Sequence, residues 1–521
     1  MSHRSMRLVA ARAAEAGWLA VRIAWSGTSE SGERPSDRDP VAVWHRDLAV
    51  AYETARELVG PDLPVHGIGL RLGSALLATS PLPFETRVLW EPVSGAAYLR
   101  QYTGLRRMSG LQLPPETGQG VEIGGMHFTD AEAAAVRALP DPRQVHTPGL
   151  VPVREQDRSV AKKLYGVATI YAKASPDAIA ALVARLEDSS CAAVPRADWA
   201  DAGRWRPVTA ARLHVAEFGV DVSEELLELG PDRLPATYTH PVGRHGTGNG
   251  AVLLAPPSVD PKDGPTGLWT VQARRLAARG VPTLRVERHH CGDASGVDQL
   301  ADVNPYTAQG MADLDMGAAW LRERTGEEVT GAGLCLGGWL VAMAPPSSAM
   351  TRRVLINNVS WRCSSRYYAR LYRDWDVDPV LDRLRTMNDV ALPRTWRTRL
   401  KNRVRRHMPY PVWLALGRCN LPNVPEVVME YATRGAELSL YFGPEDGQVF
   451  REERGEEGLV RLQKQGRRVE VHHVPELDHS LQAHASRLAA MQIIDNAVGL
   501  VGDTRLDRHE DNTKEVATCV A

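Results

Sequence analysis

A glycine-rich segment in the second half of the chain surrounds a cysteine with the spacing of a catalytic nucleophile. Residues 331–339 read Gly-Ala-Gly-Leu-Cys-Leu-Gly-Gly-Trp, with Cys335 between Gly333 and Gly337. A sharp strand-to-helix turn needs small residues at these two positions, because a side chain there would crowd the strained backbone. Such a turn also places the sulfur at a helix N-terminus, where the helix dipole favours the thiolate. Cys335 is therefore a candidate nucleophile, and the alternative is a buried structural cysteine in a tight turn.

Two polar residues further along the chain have types that would support a nucleophilic cysteine. Asp446 and His479 each follow a strand-like run, and side chains in that position meet at the carboxyl edge of an open α/β sheet. A histidine can take the proton of Cys335, and a carboxylate can orient that histidine. The pattern predicts a triad of Cys335, Asp446 and His479, with Glu445 and Asp478 as alternative acids.

The second half of the chain resembles an α/β hydrolase. Residues 333–338 are similar to the cysteine elbow of dienelactone hydrolases, and the nucleophile, acid and histidine follow in the order that this fold requires. The resemblance extends over roughly residues 237–500. It implies that Cys335 is the nucleophile, Asp446 the acid and His479 the general base.

The resemblance also implies an oxyanion hole. One backbone N–H would come from Leu336, the residue after the nucleophile, and a second from the loop after the third strand of the fold. That loop contains Pro256 and Pro257, which have no N–H to donate. The second donor is therefore assigned to Ser258 or a neighbour.

The first half repeats features of the second half at a nearly constant separation. Four pairs of residues occupy equivalent positions about 265 residues apart: Gly17 and Gly280, Arg22 and Arg285, Arg71 and Cys335, Arg87 and Arg353. The repeat indicates a duplication in which Trp18–Arg22 is expected to be a strand. It places Arg71 where the nucleophile belongs, and a guanidinium cannot attack a carbonyl.

The first half is accordingly interpreted as a degenerate copy that lacks its first strands. It is similar to hydrolases associated with bacterial exosortase systems, which also have a Gly-Leu-Arg-Leu-Gly elbow. Two roles are open for Arg71. It would bind an anionic group in the former pocket, or it would pair with a nearby acid in a purely structural domain.

These observations predict an α/β protein with two α/β-hydrolase-like domains, each with a mostly parallel, doubly wound sheet. Residues 1–235 would form the degenerate domain and residues 236–502 the catalytic domain. Residues 503–521 are predicted to be a disordered tail. A first domain without its early strands would leave a sheet edge that a second copy of the chain could cover, so a homodimer is one expectation.

A helical lid is predicted over residues 361–430, between the sixth strand and the acid. Its later part is basic and includes Arg403, Arg405 and Arg406. Such a cluster would dock an acyl or peptidyl carrier protein or the phosphates of coenzyme A. The alternative is a solvated lid surface paired to local carboxylates.

Composition excludes several classes of function. The 521 residues carry 62 basic and 63 acidic side chains, so no net field attracts nucleic acid or a membrane surface. The sequence shows neither a signal peptide nor an apolar run long enough to span a bilayer. The six cysteines have no metal-ligand or disulfide spacing, which predicts a reduced, cytoplasmic protein without a metal site. The glycine-rich residues 243–250 match no phosphate-binding loop, so no cofactor is expected.

The leading hypothesis is an acyl-transfer enzyme that works through a Cys335 acyl-thioester. The sequence leaves open whether the acyl group passes to water or to another acceptor, as in transacylases that serve carrier proteins in natural-product biosynthesis. A hydrolase-fold binding or scaffold protein without activity is the alternative from a different class. A redox-sensing role for Cys335 is a third option.

Overall fold

The computed structural model describes most of the chain. The described residues are 2–33, 38–60, 63–108, 120–157, 161, 164, 175–187, 208–243, 248–294, 305–373, 403, 405 and 407–500. The predicted tail over residues 503–521 lies outside them, as do Arg406 and residues 374–402 of the predicted lid.

The first half of the chain is built on a small parallel sheet. Its elements in chain order are α1 (Ser2–Glu15), α2 (Pro40–Val59), β1 (Gly67–Leu70), α3 (Leu72–Thr79), β2 (Arg87–Trp90), α4 (Gly95–Met108), β3 (Val121–Ile123), β4 (Met126–Phe128), α5 (Asp130–Ala138), β5 (Leu150–Val153) and α6 (Pro176–Glu187). Three strands pair in parallel in the order β1-β2-β5. Strands β3 and β4 form a separate antiparallel hairpin.

The second half contains a nine-stranded sheet with helices on both faces. Its elements are β6 (Ala210–Val215), β7 (Val220–Leu229), β8 (Leu234–Pro241), β9 (Ala251–Ala255), α7 (Leu268–Ala278), β10 (Thr283–Val286), α8 (Ala308–Thr325), β11 (Val329–Leu334), α9 (Leu336–Ala342), β12 (Met350–Ile356), α10 (Ser365–Arg373), α11 (Tyr410–Arg418), α12 (Pro425–Ala432), β13 (Glu437–Phe442), α13 (Pro444–Glu452), α14 (Gly455–Lys464), β14 (Val469–His473) and α15 (His484–Ala497). The strand order is β14-β13-β12-β11-β9-β10-β8-β7-β6. All neighbours are parallel except β10–β8, β8–β7 and β7–β6.

Two apolar cores, one on each face of the large sheet, explain why its central strands are so apolar. All residues of β9 are buried. Leu253 packs in the core that contains Leu340 of α9, whereas Val252 and Leu254 pack in the core that contains Trp269 of α7. Because successive side chains of a strand point to opposite faces, a strand covered on both sides must be apolar throughout. This is the packing of a doubly wound sheet, and it confirms the predicted α/β fold class. Among the helices described, none combines the length and apolar character needed to cross a bilayer.

The second sheet begins earlier than the predicted domain boundary between residues 235 and 236. That boundary falls inside β8, and the two preceding strands already belong to the same sheet. The register runs from Val222 opposite Pro241 to Leu229 opposite Leu234, so β7 pairs with β8 along nearly its whole length. The boundary was placed before an expected early strand over residues 237–240, and the two strands that precede it in the same sheet, β6 and β7, were not recognised.

The predicted strand over Trp18–Arg22 is not formed, although the equivalent residues of the second half begin β10. Strand β10 hydrogen-bonds to β9 on one side and to β8 on the other. In the described part of the first half, β1 pairs only with β2. A segment without neighbouring strands gains no ladder hydrogen bonds, so the repeated sequence takes an irregular path.

Buried charges join the two halves. Arg285 is fully buried on β10 and donates to the Glu30 carboxylate at 2.6 Å and to Glu224 at 3.2 Å. Arg274 donates to Glu224 at 2.8 Å and to the carbonyl oxygen of Glu30 at 2.9 Å. Removing one partner would leave a buried charge uncompensated, which typically costs about 3–5 kcal/mol. These charged groups therefore tie Glu30 of the first half to β10 and α7 of the second.

Candidate active site

Cys335 lies in a sharp turn between β11 and α9. Its backbone has φ 51° and ψ −115°, a conformation that is strained for a residue with a side chain. A Cβ built on Gly333 would lie 2.3 Å from the carbonyl carbon of Gly337, so glycine is required there. Cys335 is partly exposed. The turn thus presents its sulfur at the carboxyl edge of the sheet and at the start of a helix.

Asp446 and His479 come together at the same edge. Asp446 is buried in the first turn of α13, which follows β13, and His479 lies in the loop after β14. The His479 Nδ1 is 2.9 Å from one carboxylate oxygen of Asp446 and 3.0 Å from the other. The Cys335 sulfur is close enough to His479 to act on the charge of its imidazole. The structure therefore brings the three predicted residues to the same edge of the sheet, with Asp446 hydrogen-bonded to His479.

The charge on His479 is stabilised by its neighbours. Burial by itself would lower the pKa of His479, but the nearby Cys335 sulfur, the hydrogen bonds to Asp446 and the Asp446 charge raise it well above the ordinary 6.5. A protonated imidazole between a sulfur and a carboxylate is the state that general-base catalysis by this residue would produce.

The two alternative acids are placed differently. Glu445 is exposed at the start of α13. Asp478 is buried, and its carboxylate accepts the backbone N–H groups of Ser480, Gln482 and Ala483 at 3.1, 2.9 and 2.9 Å. Asp478 therefore shapes the loop that carries His479, whereas Asp446 contacts the imidazole.

Asn357 was not singled out from the sequence, yet it connects all parts of this site. It directly follows β12, has φ 51° and is fully buried. Its Oδ1 accepts the N–H of Gly443, the residue before α13, at 2.9 Å. Its Nδ2 donates to the carbonyl oxygen of Asp478, next to His479, at 2.9 Å. The preceding residue, Ile356, accepts the Cys335 N–H at 2.8 Å. In the sequence, the only sign of this role is that a polar residue directly follows an apolar strand.

The predicted oxyanion donors lie on either side of the elbow. Leu336 is the first residue of α9, and N–H groups in a first helical turn have no intrahelical partner. The loop after β9 packs against this turn, since a Cβ on Gly337 would lie 2.5 Å from the Ala255 carbonyl oxygen. Ser258 follows with φ 45°, and its hydroxyl is buried without a hydrogen-bond partner in the described part of the chain. Ser258, the predicted second donor, thus has a side-chain hydroxyl to donate in addition to its backbone N–H.

The arginines predicted to dock a carrier protein or coenzyme A do not form one exposed cluster among the described residues. Arg403 is exposed, whereas Arg405 is buried. Arg405 pairs with Glu453 at 2.8 Å and with Glu452 at 3.5 Å, which holds its segment against α13. Arg406 lies outside the described residues. Arg405 is therefore paired within the fold and is not available to a carrier protein. The sequence prediction treated it as a surface residue because its neighbours in the sequence are also basic.

The elbow of the first half has nearly the same backbone as that of the second. Arg71 has φ 58° and ψ −116°, lies between β1 and α3, and donates its N–H to Trp90 of the neighbouring strand at 3.0 Å. Its guanidinium hydrogen-bonds to Gln101 on α4. Glu91 follows β2 with φ 46° and accepts the N–H of Glu155 at 2.7 Å. The first half thus keeps the turn without a nucleophile.

The sheet, the elbow and the order of the three polar residues are those of the α/β-hydrolase fold. No protein-family model and no curated protein matches the sequence. The chain is similar to a dienelactone hydrolase from Anabaena variabilis, with 12% identity over 56% of this chain and 97% of that one and a TM-score of 0.31. It is also similar to an α/β serine hydrolase without a lid from Xanthomonas campestris, with 14% identity over 56% and 95% of the two chains and a TM-score of 0.30. Likeness at this level says nothing about substrate, so function rests on the side chains described above.

Proposed function

We propose that the second half is a cysteine-dependent acyl-transfer enzyme that acts on an ester or thioester. The observations that support this most directly are the hydrogen bonds between His479 and Asp446 and the position of Cys335 in the elbow at the same carboxyl edge of the sheet. A thiol beside a base that is itself oriented by a carboxylate is the arrangement of an activated nucleophile. We further infer that the first half is a degenerate copy of the same domain.

In the first step Cys335 would attack the substrate carbonyl. The thiol proton passes to Nε2 of His479 because Nδ1 faces Asp446, and the sulfur forms a bond to the carbonyl carbon. When the tetrahedral intermediate collapses, the bond to the leaving alcohol or thiol breaks and Nε2 returns the proton to it. The product of this step is an acyl-thioester on Cys335.

In the second step the acyl group leaves the enzyme. Water, or the hydroxyl, amine or thiol of another acceptor, attacks the thioester and gives its proton to Nε2 of His479. The carbon–sulfur bond breaks, and the Cys335 sulfur recovers the proton. Water yields a free acid, whereas another acceptor yields a transferred acyl group.

The developing oxyanion would be stabilised by the N–H of Leu336 and by a donor from Ser258. One such donor is typically worth about 3 kcal/mol of transition-state stabilisation. The unpartnered hydroxyl of Ser258 supports its inclusion, because Pro256 and Pro257 have no N–H to offer.

We also propose an acyl or peptidyl carrier protein or coenzyme A as the acyl donor, as in natural-product biosynthesis. The exposed Arg403 supports contact with an acidic partner, and the buried Arg405 does not.

The experiment is to measure intact-protein mass after brief exposure to simple acyl thioesters, coenzyme A thioesters, carrier-protein thioesters and activated esters. We expect one acyl adduct on the wild type and none on Cys335→Ala. Cys419→Ala is the matched control, since Cys419 is an exposed thiol outside the proposed triad and would be the site of the adduct if acylation needed only an accessible thiol. Its adduct should equal that of the wild type.

The products then separate the possibilities. Free acid identifies a hydrolase, and an acyl group on an added thiol identifies a transferase. A preference for carrier or coenzyme A donors over a simple thioester with the same acyl group supports the proposed donor, and equal rates contradict it. If no donor gives an adduct that depends on Cys335, the enzyme proposal is wrong and a hydrolase-fold binding protein replaces it.

A further inference from the structure

Helix α15 follows the loop that carries His479, called here the histidine loop. No side chain at the start of this helix caps its first N–H groups. Its N-cap residue is Ala483, which makes no side-chain cap hydrogen bond, and its first turn contains no acidic residue. The first N–H groups of a helix have no intrahelical acceptors, and a nearby carboxylate stabilises them by hydrogen bonding and by its charge. A carboxylate that accepts these N–H groups therefore has to come from outside the helix.

That acceptor comes from the first half of the chain. Glu122, on the hairpin formed by β3 and β4, is buried, and its Oε2 accepts the N–H of His484 at 3.0 Å. His484 is the first residue of α15 and is 362 positions away in sequence. The carbonyl oxygen of Gly125 in the same hairpin lies 3.3 Å from the His484 Nδ1. The hairpin thus supplies the cap that the helix lacks.

The hairpin fits closely against the end of the histidine loop. Gly125 has φ 81°, and a Cβ there would lie 2.7 Å from the Leu481 carbonyl oxygen and 2.2 Å from the Arg487 side chain. Arg487 is itself buried and donates to the Pro265 carbonyl oxygen at 2.9 Å. A close approach of this kind leaves little room for the loop to move while the hairpin is in place.

The start of α15 is in turn bonded to the residue next to the histidine. Ser486, in the first turn of α15, accepts the Asp478 N–H at 2.9 Å. The Asp478 carboxylate accepts the N–H of Ala483 at 2.9 Å and that of Ser480 at 3.1 Å. His479 lies between Asp478 and Ser480, so a shift of the helix start is passed to the imidazole through one residue.

We propose that Glu122 is a positioning residue for His479, and that the first half is thereby an integral part of the active site. The inference rests on the proposed function, because it assigns the role through the triad. Glu122 fixes the start of α15, α15 fixes Asp478, and Asp478 fixes the loop that holds His479 between Cys335 and Asp446. Loss of its side chain would leave the triad residues present and poorly aligned.

The test compares three variants of the full chain. Glu122→Ala removes the acceptor and should lower kcat about tenfold or more while KM stays within about twofold, since the alignment of reacting groups is lost and not substrate contact. Glu122→Gln keeps an oxygen that can accept the His484 N–H and should retain most of kcat. Glu132→Ala is the matched control, because Glu132 is a buried carboxylate in the same half that accepts the Thr129 N–H at the start of α5. It should leave kcat unchanged.

A second measurement does not depend on any substrate. The rate of Cys335 alkylation by iodoacetamide, followed on the Cys335 peptide by mass spectrometry, reports on its pairing with His479. Its pH profile should shift in Glu122→Ala toward that of His479→Ala. If Glu122→Ala does not fold, Glu122→Asp, which keeps the charge on a shorter side chain, should show a smaller shift in the same direction.

The outcomes separate this inference from the proposed function. If His479→Ala alkylates like the wild type, the triad itself is wrong. If His479→Ala differs while Glu122→Ala matches the wild type in both kcat and pH profile, only the positioning role is overturned. An equal loss of kcat in Glu132→Ala would also overturn it, because general destabilisation of the first half would then explain the effect.

Discussion

The two elbows of this chain share a backbone and differ in what surrounds it. Arg71 and Cys335 have φ of 58° and 51° and ψ of −116° and −115°, and each donates its N–H to the neighbouring parallel strand. In the second half, an acid and a histidine converge on the turn. In the first half, the guanidinium of Arg71 hydrogen-bonds to Gln101. A strained turn can therefore be maintained without catalytic partners and is not by itself a sign of catalysis.

The two halves also differ in the residue that directly follows the strand next to each elbow. Glu91 and Asn357 occupy equivalent positions with φ of 46° and 51°, and each accepts an N–H from the segment after the next strand. Asn357 also donates to the carbonyl oxygen of Asp478, which a carboxylate cannot do. An amide at this position can therefore bond both to Gly443, just before Asp446, and to Asp478, just before His479. A carboxylate can accept the first of these hydrogen bonds but cannot donate the second.

Adding a side chain to the glycine that precedes each elbow should have the largest effect. We expect activity to be lost only when the elbow of the second half is changed. Gly333→Ala and Gly69→Ala would each place a Cβ within 2.5 Å of the following turn. Each variant should be destabilised by about 1–3 kcal/mol. Gly333→Ala should lower kcat at least about 10³-fold, because the nucleophile and the Leu336 N–H are displaced together.

Gly69→Ala is the matched control, and its acylation at Cys335 should persist once its lower Tm is allowed for. Rates and melting curves measured on the same samples would check both. Loss of acylation in Gly69→Ala at a temperature where it remains folded would contradict the claim that only one elbow is catalytic.

Giving Asn357 the chemistry of its counterpart should have the next largest effect. Asn357→Asp keeps the acceptor for Gly443 but turns a carboxylate toward the Asp478 carbonyl oxygen, where a hydrogen bond had been. We expect kcat to fall about 10- to 100-fold with a smaller change in KM, because His479 and Asp446 lose their common anchor.

Glu91→Gln is the control from the first half, since a glutamine can still accept the Glu155 N–H, and it should leave kcat unchanged. Steady-state kinetics on both variants would decide. Wild-type kcat in Asn357→Asp would show that the two loops are held by other contacts.

Sequence reasoning could name Cys335, Asp446 and His479 because glycine spacing and strand order restrict where such residues fall. It could not identify Asn357 or Glu122. Their roles depend on which polar atom reaches a particular carbonyl or N–H group 121 or 362 positions away. Propensity and periodicity are local and do not contain that information.

The errors have the same origin. Arg405 belongs to a run that looks solvent-exposed, and only the packing of α13 shows that it pairs with Glu453. The repeated segment at Trp18–Arg22 has the composition of a strand, but among the described residues it has no neighbouring strand with which to pair. In both places tertiary contacts override the local pattern.

The smallest expected effect is on the pH dependence of protein stability. It arises from the charge on His479, for which the elbow at Arg71 has no counterpart among the described residues. Because the pKa of His479 is raised above 6.5 in the folded protein, its protonated form favours folding. That contribution is complete below pH 6.5 and is lost as the pH rises through the raised pKa. Replacing His479 by Gln should thus lower the free energy of unfolding by more at pH 6 than at alkaline pH. Urea unfolding of wild type and variant across this range is the measurement, with His472→Gln, at a more exposed position on β14, as the control. A wild-type–variant difference that does not change with pH would mean that the imidazolium is not stabilised in the folded protein.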